Sequence, residues 1–315
     1  MQPEPNIRRV GVLGAGVMGR RHIDAWQRLG MPIAGVYARD PMRGRAAAET
    51  CGCQVFDSVT ALLDAIEIAD ICLPTFLHRS TVEQAAQAGC DIVCEKPLAL
   101  KSEDAEAIFA LCEGAGVRLF VAMVVRFFSA YRKAWQTVRG GTLGAVRTIA
   151  LERVGSPPPP EGSWFFNSAL SGDMLTDLLI HDVDYATWLA GDVAAVHATV
   201  HSSGQLQYAY LTLEHTNGTV SRIKGGWADA APGLQARGQV VCADGKIQIT
   251  PKNLYLPTED PYVAELRHFH DALVSGGPFL VSRSEVLRVV RIMAAAREVA
   301  RNRCTMPIGP ADAAK

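Results

Sequence analysis

A lysine sits where a buried strand ends. Glu95-Lys96-Pro97 closes an apolar run, residues 90–94, that reads as a short core strand. An ammonium is costly to desolvate, and the acid beside it offsets part of that cost. Pro97 biases Lys96 away from the helical region, so the side chain is presented from a fixed turn. That turn lies at the C-terminal end of a strand, the edge where open α/β sheets bind ligands. An ordinary surface lysine in a proline turn is the competing reading. A second group of reactive types is Asp177 and His181, four residues apart, which a helix places on one face. Asp184 falls on that side too, and Asp182 is turned away. Leu178, Leu179, Ile180 and Val183 mark the helix as otherwise buried, so the inward Asp and His need partners. A satisfied structural pair would serve equally. A metal site is weak, because two ligands stand without a clear third.

These groups need elements to hold them. Residues 8–13 are β-rich, Gly14-Ala15-Gly16-Val17-Met18-Gly19 follows at once, and a helical pattern follows that. Strand, G-x-G-x-x-G, helix is the order of the dinucleotide fingerprint. Gly14 makes the tight turn, Gly16 lets backbone approach a pyrophosphate, and Gly19 allows close helix packing, with the helix N-terminus aimed at phosphate. A Gly-rich turn without a ligand is the alternative. After the second strand, residues 33–37, the place of the usual ribose-binding acid is held by Ala38-Arg39-Asp40. Arg39 suits a 2′-phosphate, so NADP is favoured over NAD; the alternative is that Asp40 takes the acid's role slightly late.

Strands and helices alternate to about residue 125, which predicts a parallel doubly wound sheet. The grammar then changes. Strands at 146–154, 194–201, 207–215, 219–227 and 235–250, with turns at Asn217-Gly218 and Asp244-Gly245, predict an α+β half with a large, mostly antiparallel sheet. The domains are expected at 1–120 and 121–315, with a final helix over 284–301 as a candidate to pack back on the first domain. The one low-complexity tract is the proline run 157–160.

The 315 residues are 49% hydrophobic and 20% charged, with a net charge of −1, a globular composition. It gives no support for nucleic-acid binding. No apolar run approaches a membrane span, and the first nine residues lack the apolar core of a signal peptide. Of eight cysteines, Cys72, Cys90 and Cys94 fall in core strands, and Cys51 and Cys53 are too isolated for zinc. A reduced, cytoplasmic protein is expected.

Five segments in order resemble the glucose-fructose oxidoreductase/inositol dehydrogenase family: G-A-G-V-M-G at 14–19, P-T-F-L-H at 74–78, E-K-P at 95–97, V-R-F at 125–127, and G-D-M-L-T-D-L-L-I-H-D-V-D at 172–184. The resemblance implies a Rossmann domain and a C-terminal α/β domain whose open sheet forms a homo-oligomer interface. It implies a catalytic set falling on Lys96, Asp177 and His181, with the Lys96–Pro97 bond often cis. It places Gly14, Gly16, Val17, Met18, Gly19, Arg39, Pro74, Thr75, His78, Glu95 and Lys96 at the cofactor. Arg126, Trp164, Asn167, Asp177 and His181 fall at the substrate. The implied reaction moves a hydride between a nicotinamide and a secondary alcohol of a polyol or sugar. His181, ordinarily titrating near neutrality, would take the proton, and Lys96 would stabilise the alkoxide. Asp177 would orient substrate or His181. Ser171-Gly172-Asp173 replaces a frequent Gly-Gly-Gly, Phe165 a frequent Arg, and Val124 a polar residue, so the substrate does not carry over. A non-catalytic nicotinamide sensor and an NAD-recycling hydrolase or lyase are the other readings.

Overall fold

The computed structural model describes residues 8–158, 163–228, 233–251, 259–302 and 305–308. Pro159 and Pro160 of the proline tract lie outside them. The chain forms two compact units. One takes residues 1–99, 103–122 and 259–282, and the other takes 100–102, 123–258 and 283–315.

The first unit is a parallel sheet of six strands in the order β3-β2-β1-β4-β5-β6. Its strands are β1 (Val10–Leu13), β2 (Ile33–Tyr37), β3 (Gln54–Phe56), β4 (Ile68–Ile71), β5 (Asp91–Glu95) and β6 (Leu119–Ala122). The crossovers carry α1 (Val17–Arg28), α2 (Pro41–Cys51), α3 (Val59–Leu63), α4 (His78–Gln87) and α5 (Ser102–Ala115). β1 and β4 are buried along their whole length, which is why they do not alternate apolar and polar residues; Asp70 is the one charged residue in β4. The strand order reverses at β1/β4, the switch point where such sheets bind ligands.

The boundary expected at residue 120 misses one return of the chain. A helix over Pro261–Ser275 joins the first unit and packs on α1. Trp26 of α1 meets Phe269 edge-on at 6.3 Å, and Phe120, Phe269 and Phe279 complete an aromatic cluster with centroids 5.3–5.9 Å apart.

The second unit holds α6 (Ser129–Arg139), β7 (Val146–Gly155), α7 (Ser168–Ser171), α8 (Asp173–Ala190), β8 (Val193–Ser203), β9 (Leu206–His215), β10 (Val220–Trp227), β11 (Gln235–Cys242) and β12 (Lys246–Ile249). After α9, the returning helix just described, come α10 (Arg283–Asn302) and β13 (Thr305–Pro307). The sheet order is β12-β11-β7-β10-β9-β8-β13, antiparallel throughout except for the β7–β10 pair. α8 lies against this sheet, and at Gly225 of β10 an added Cβ would stand 2.8 Å from Leu179 and 2.0 Å from the Arg153 carbonyl. The expected final helix is α10, and it packs on α8 and β8 of its own unit. The segment that rejoins the first unit is α9.

Truncating Phe269, which is fully buried, to Ala is expected to cost about 3–5 kcal/mol. Urea unfolding of the Phe269→Ala protein checks this, and a loss below about 1 kcal/mol would contradict the role given to α9.

Candidate active site

In the first unit, β1 leads into the glycine turn. Gly14 has φ +113°, a conformation that favours glycine. An added Cβ at Gly14 would also lie 2.4 Å from the Cys72 carbonyl oxygen, and one at Gly19 would lie 1.8 Å from the Gly14 carbonyl oxygen. These two glycines are therefore fixed by contacts within the protein. Gly16 differs, because nothing lies within 4 Å of a Cβ built there. α1 starts at Gly16 without a side-chain cap and without an acid in its first turn. Val17 is 62% exposed and Met18 is half-buried. The open backbone and uncapped N–H groups are the features a pyrophosphate uses.

At the end of β2, Asp40 is the N-cap of α2. Its Oδ1 accepts from the N–H groups of Met42 at 3.0 Å and Arg43 at 3.4 Å, and its other oxygen faces the Arg43 Nε at 3.3 Å. The capping role explains why an acid stands there. Arg39 beside it is exposed.

Beyond β4, Pro74 is half-buried, and Thr75, 5% exposed, lies in a 3₁₀ turn over Thr75–Leu77. His78 is 1% exposed. Its Nδ1 lies 2.9 Å from the Pro97 carbonyl and its Nε2 lies 2.8 Å from the Leu73 carbonyl. Both ring nitrogens are thus turned to main chain rather than outward, as a brace between two loops.

At the end of β5 every residue from Ile92 to Ala99 is buried except Lys96, which is half-buried. The Lys96–Pro97 bond is cis. The Glu95 carboxylate turns inward. Its Oε2 accepts from the Lys96 N–H at 3.0 Å, and its Oε1 faces His22 Nε2 at 3.3 Å. Behind it, His22 Nδ1 lies 3.0 Å from both oxygens of Asp70, and Trp26 Nε1 donates to Asp70 at 2.7 Å. Desolvation acts to lower the His22 pKa, but Asp70 and Cys72 outweigh it and hold it well above its ordinary value. Tyr262 of α9 tilts over the His22 ring at 6.1 Å. Burial, with the Glu95 charge, pushes its hydroxyl up to about 12.

In the second unit, α8 is buried almost all round. Of its 18 residues, only Asp173, Asp177, Leu178, His181 and Trp188 are not buried. Asp173, Asp177 and His181 follow one another every four residues, so the helix has one accessible polar strip. Buried ion pairs on its other sides hold it in place. Arg153 Nε donates to Asp182 at 2.6 Å.

Arg126, expected at the substrate, lies where α8, α10 and a 3₁₀ turn meet. The residue is wholly buried. Its Nε and Nη2 donate to Asp184 at 2.9 and 2.6 Å, and its Nη1 donates to Glu285 at 2.9 Å. Burial alone would lower its pKa, but Asp184 and Glu285 raise it. An arginine so enclosed ties α8 and α10 to the 3₁₀ turn Val124–Phe127. Trp164 is half-buried and stacks on Phe165 at 4.1 Å. Asn167 caps α7, its Oδ1 accepting from Ala169 N–H at 3.1 Å.

Sequence reading missed His22, Asp70 and Tyr262. His22 and Asp70 are 48 residues apart. Their only local signal was a His on an apolar helix face and an Asp inside an apolar strand, both of which demand a buried partner.

A parallel sheet with a glycine turn at its switch point, joined to an α+β unit, is the architecture of a two-domain nucleotide-dependent oxidoreductase. Residues 8–123 match the oxidoreductase family with an NAD-binding Rossmann fold, and residues 131–248 match the GFO/IDH/MocA C-terminal domain. The chain belongs to this family. It is 32% identical over 220 residues to UDP-N-acetylglucosamine 3-dehydrogenase of Acidithiobacillus ferrooxidans, covering 68% of the chain and 66% of the relative, just under two thirds of the latter. A solved structure of the enzyme of that name and organism superposes with a TM-score of 0.80 at 26% identity, covering 93% of this chain and 97% of that one. The chain is 28% identical over 317 residues to D-xylose 1-dehydrogenase (NADP(+)) 2 of Haloferax volcanii, covering 92% and 96%.

Two glycine substitutions separate folding from binding in the turn. Gly16→Ala meets no protein atom within 4 Å, so its melting temperature should match the wild type while dinucleotide affinity falls about tenfold or more. Gly19→Ala collides with backbone and should lower the melting temperature as well. Thermal melts and cofactor titration by fluorescence read the two effects.

Proposed function

We propose that this chain is an NAD(P)-dependent dehydrogenase or reductase that moves a hydride between a nicotinamide and a secondary alcohol or ketone of a polyol or sugar. The observation carrying it is that Lys96 is the one accessible residue in a buried strand end, and that Asp177 and His181 lie on the one accessible polar strip of a buried helix. Family membership, and relatives named for sugar and nucleotide-sugar dehydrogenation, support the same reading.

Gly14, Gly16, Val17, Met18 and Gly19 would receive the pyrophosphate, and Pro74, Thr75 and the chain at Glu95-Lys96 would border the nicotinamide half. His78 supports this edge from behind. When bound, the nicotinamide supplies the acceptor for the hydride leaving the alcohol carbon. His181 takes the proton from the alcohol oxygen. Lys96 places a positive charge against the oxygen as negative charge develops there. Asp177 orients His181 or a neighbouring hydroxyl, and Trp164 and Asn167 would contact the sugar. In the reductive direction the same groups return the proton.

NADP is the preferred cofactor in this reading. Arg39 is exposed beside the ribose position, and Asp40, engaged as a helix cap, is withheld from a 2′-hydroxyl. Subunit association through the open face of the second sheet fits its exposed Tyr210 and the Lys224–Glu152–Arg237 cluster. Among the described residues, no helix is long and apolar enough to cross a membrane. The described cysteines Cys51, Cys53, Cys72, Cys90, Cys94, Cys112 and Cys242 are free thiols, as a reducing cytoplasm would keep them.

The test is a spectrophotometric screen of polyols and aldoses with both cofactors. Lys96→Met should lower turnover by about two to three orders of magnitude while cofactor still binds. Near-wild-type turnover in both Lys96→Met and His181→Gln would overturn the assignment. Arg39→Ala should raise the KM for NADP far more than for NAD. A wild type preferring NAD by about tenfold or more would overturn the reading of Arg39.

A further inference from the structure

Two fully buried histidines converge on the turn that presents Lys96, and neither faces a ligand-accessible surface. On one side, Trp26, Asp70, His22 and Glu95 form a chain of contacts that ends on the Lys96 main chain. Trp26 Nε1 donates to Asp70 Oδ2 at 2.7 Å, Asp70 holds His22 Nδ1 at 3.0 Å, His22 Nε2 meets Glu95 Oε1 at 3.3 Å, and Lys96 N–H donates to Glu95 Oε2 at 3.0 Å. At 3.3 Å the His22–Glu95 contact is an ion pair rather than a directed hydrogen bond. On the other side, the His78 ring spans the carbonyls of Leu73 and Pro97 at 2.8 and 2.9 Å. Glu95 and Pro97 flank Lys96 directly, so the two chains grip the backbone one residue before it and one residue after it.

We propose that His22, acting through Glu95, and His78, acting through the Pro97 carbonyl, are positioning residues that aim Lys96 by restraining its backbone. The proposal rests on the reading of Lys96 as the group that meets the substrate oxygen. An ammonium on a flexible four-carbon stem is a poor pointer by itself. A fixed Cα and fixed first torsion remove much of that freedom, and misplacement of a catalytic group by about 1 Å can cost about a hundredfold in rate.

The charge state of His22 agrees with this arrangement. Against burial, Asp70 and Cys72 hold its pKa well above the ordinary value, and the ring is set between two carboxylates. His22, Asp70 and Cys72 also bring ligand-type atoms within 4.8 Å of one another. The direct His22–Asp70 contacts and a thiol whose pKa is raised by burial fit a hydrogen-bonded network better than a metal site. For His78, burial lowers the pKa, and the two carbonyls act against that.

The experiment is a double-mutant cycle in the full-length protein, with kcat, KM and cofactor affinity measured for each variant. Removing His22 would leave the buried Asp70 and Glu95 carboxylates without the ring between them, so Glu95 is the better site to change. Glu95→Ala takes away the acceptor for the Lys96 N–H while leaving His22 paired with Asp70. Its kcat should fall about ten- to a hundredfold, by more than cofactor affinity falls. Glu95→Gln should recover most of the loss, because an amide oxygen still accepts from the Lys96 N–H. His78→Gln should lower kcat in the same sense. In the Lys96→Met background, whose slow turnover is followed over hours by cofactor absorbance, Glu95→Ala and His78→Gln should cost almost nothing further. Equal losses in both backgrounds, or a Glu95→Ala protein with kcat within about twofold of wild type, would overturn the positioning role. Wild-type turnover in Lys96→Met alone would instead overturn the reading on which it rests.

Discussion

A lysine ammonium at the end of an apolar strand has to be reconciled with the packing around it. Burying an unpaired charge costs several kcal/mol after relaxation, while the backbone on both sides of Lys96 is locked among buried residues. The side chain must therefore project from a chain that cannot move to suit it. The rest of the first unit's ligand edge follows from that constraint. β5 supplies the rigid base, Glu95 turns its charge inward, and the β4 exit loop is pinned to the Pro97 carbonyl by His78. The glycine turn after β1 obeys a related logic. Gly14 and Gly19 are fixed by contacts within the protein, and Gly16 leaves backbone open to an anion.

The second unit solves a similar problem with a helix. α8 carries four acids and one histidine, charges that would be costly if they were simply buried. Asp182 and Asp184 are each paired with an arginine, Arg153 and Arg126, which anchor the helix to its sheet and to α10. Breaking such a pair leaves an uncompensated buried charge, so each is a strong restraint on register even where its net contribution to stability is small. With those pairs in place, Asp177 and His181 are left on the accessible strip.

Local spacing made much of this legible in the sequence. The glycine turn, the βα alternation, the antiparallel second sheet and the shared face of Asp177 and His181 all depend on residues within a turn or two of each other. What escaped were pairings made across the chain. The pairing of Arg126 with Asp184, 58 residues on, had no local signal. His22 and Asp70 gave only the general signal of buried polar groups needing partners. The return of α9 to the first unit was hidden because its apolar face matches α1, and no composition shift marks the crossing.

The central claim is that Lys96, Asp177 and His181 serve direct hydride transfer from an alcohol carbon to a nicotinamide. The measurement that tests it most directly is mass analysis of the reduced cofactor formed from a polyol or aldose carrying deuterium at the oxidised carbon. The account predicts reduced cofactor one mass unit heavier, with the label at the nicotinamide ring and none lost to water. Reduced cofactor without label, or label released to solvent at the rate of turnover, would contradict it.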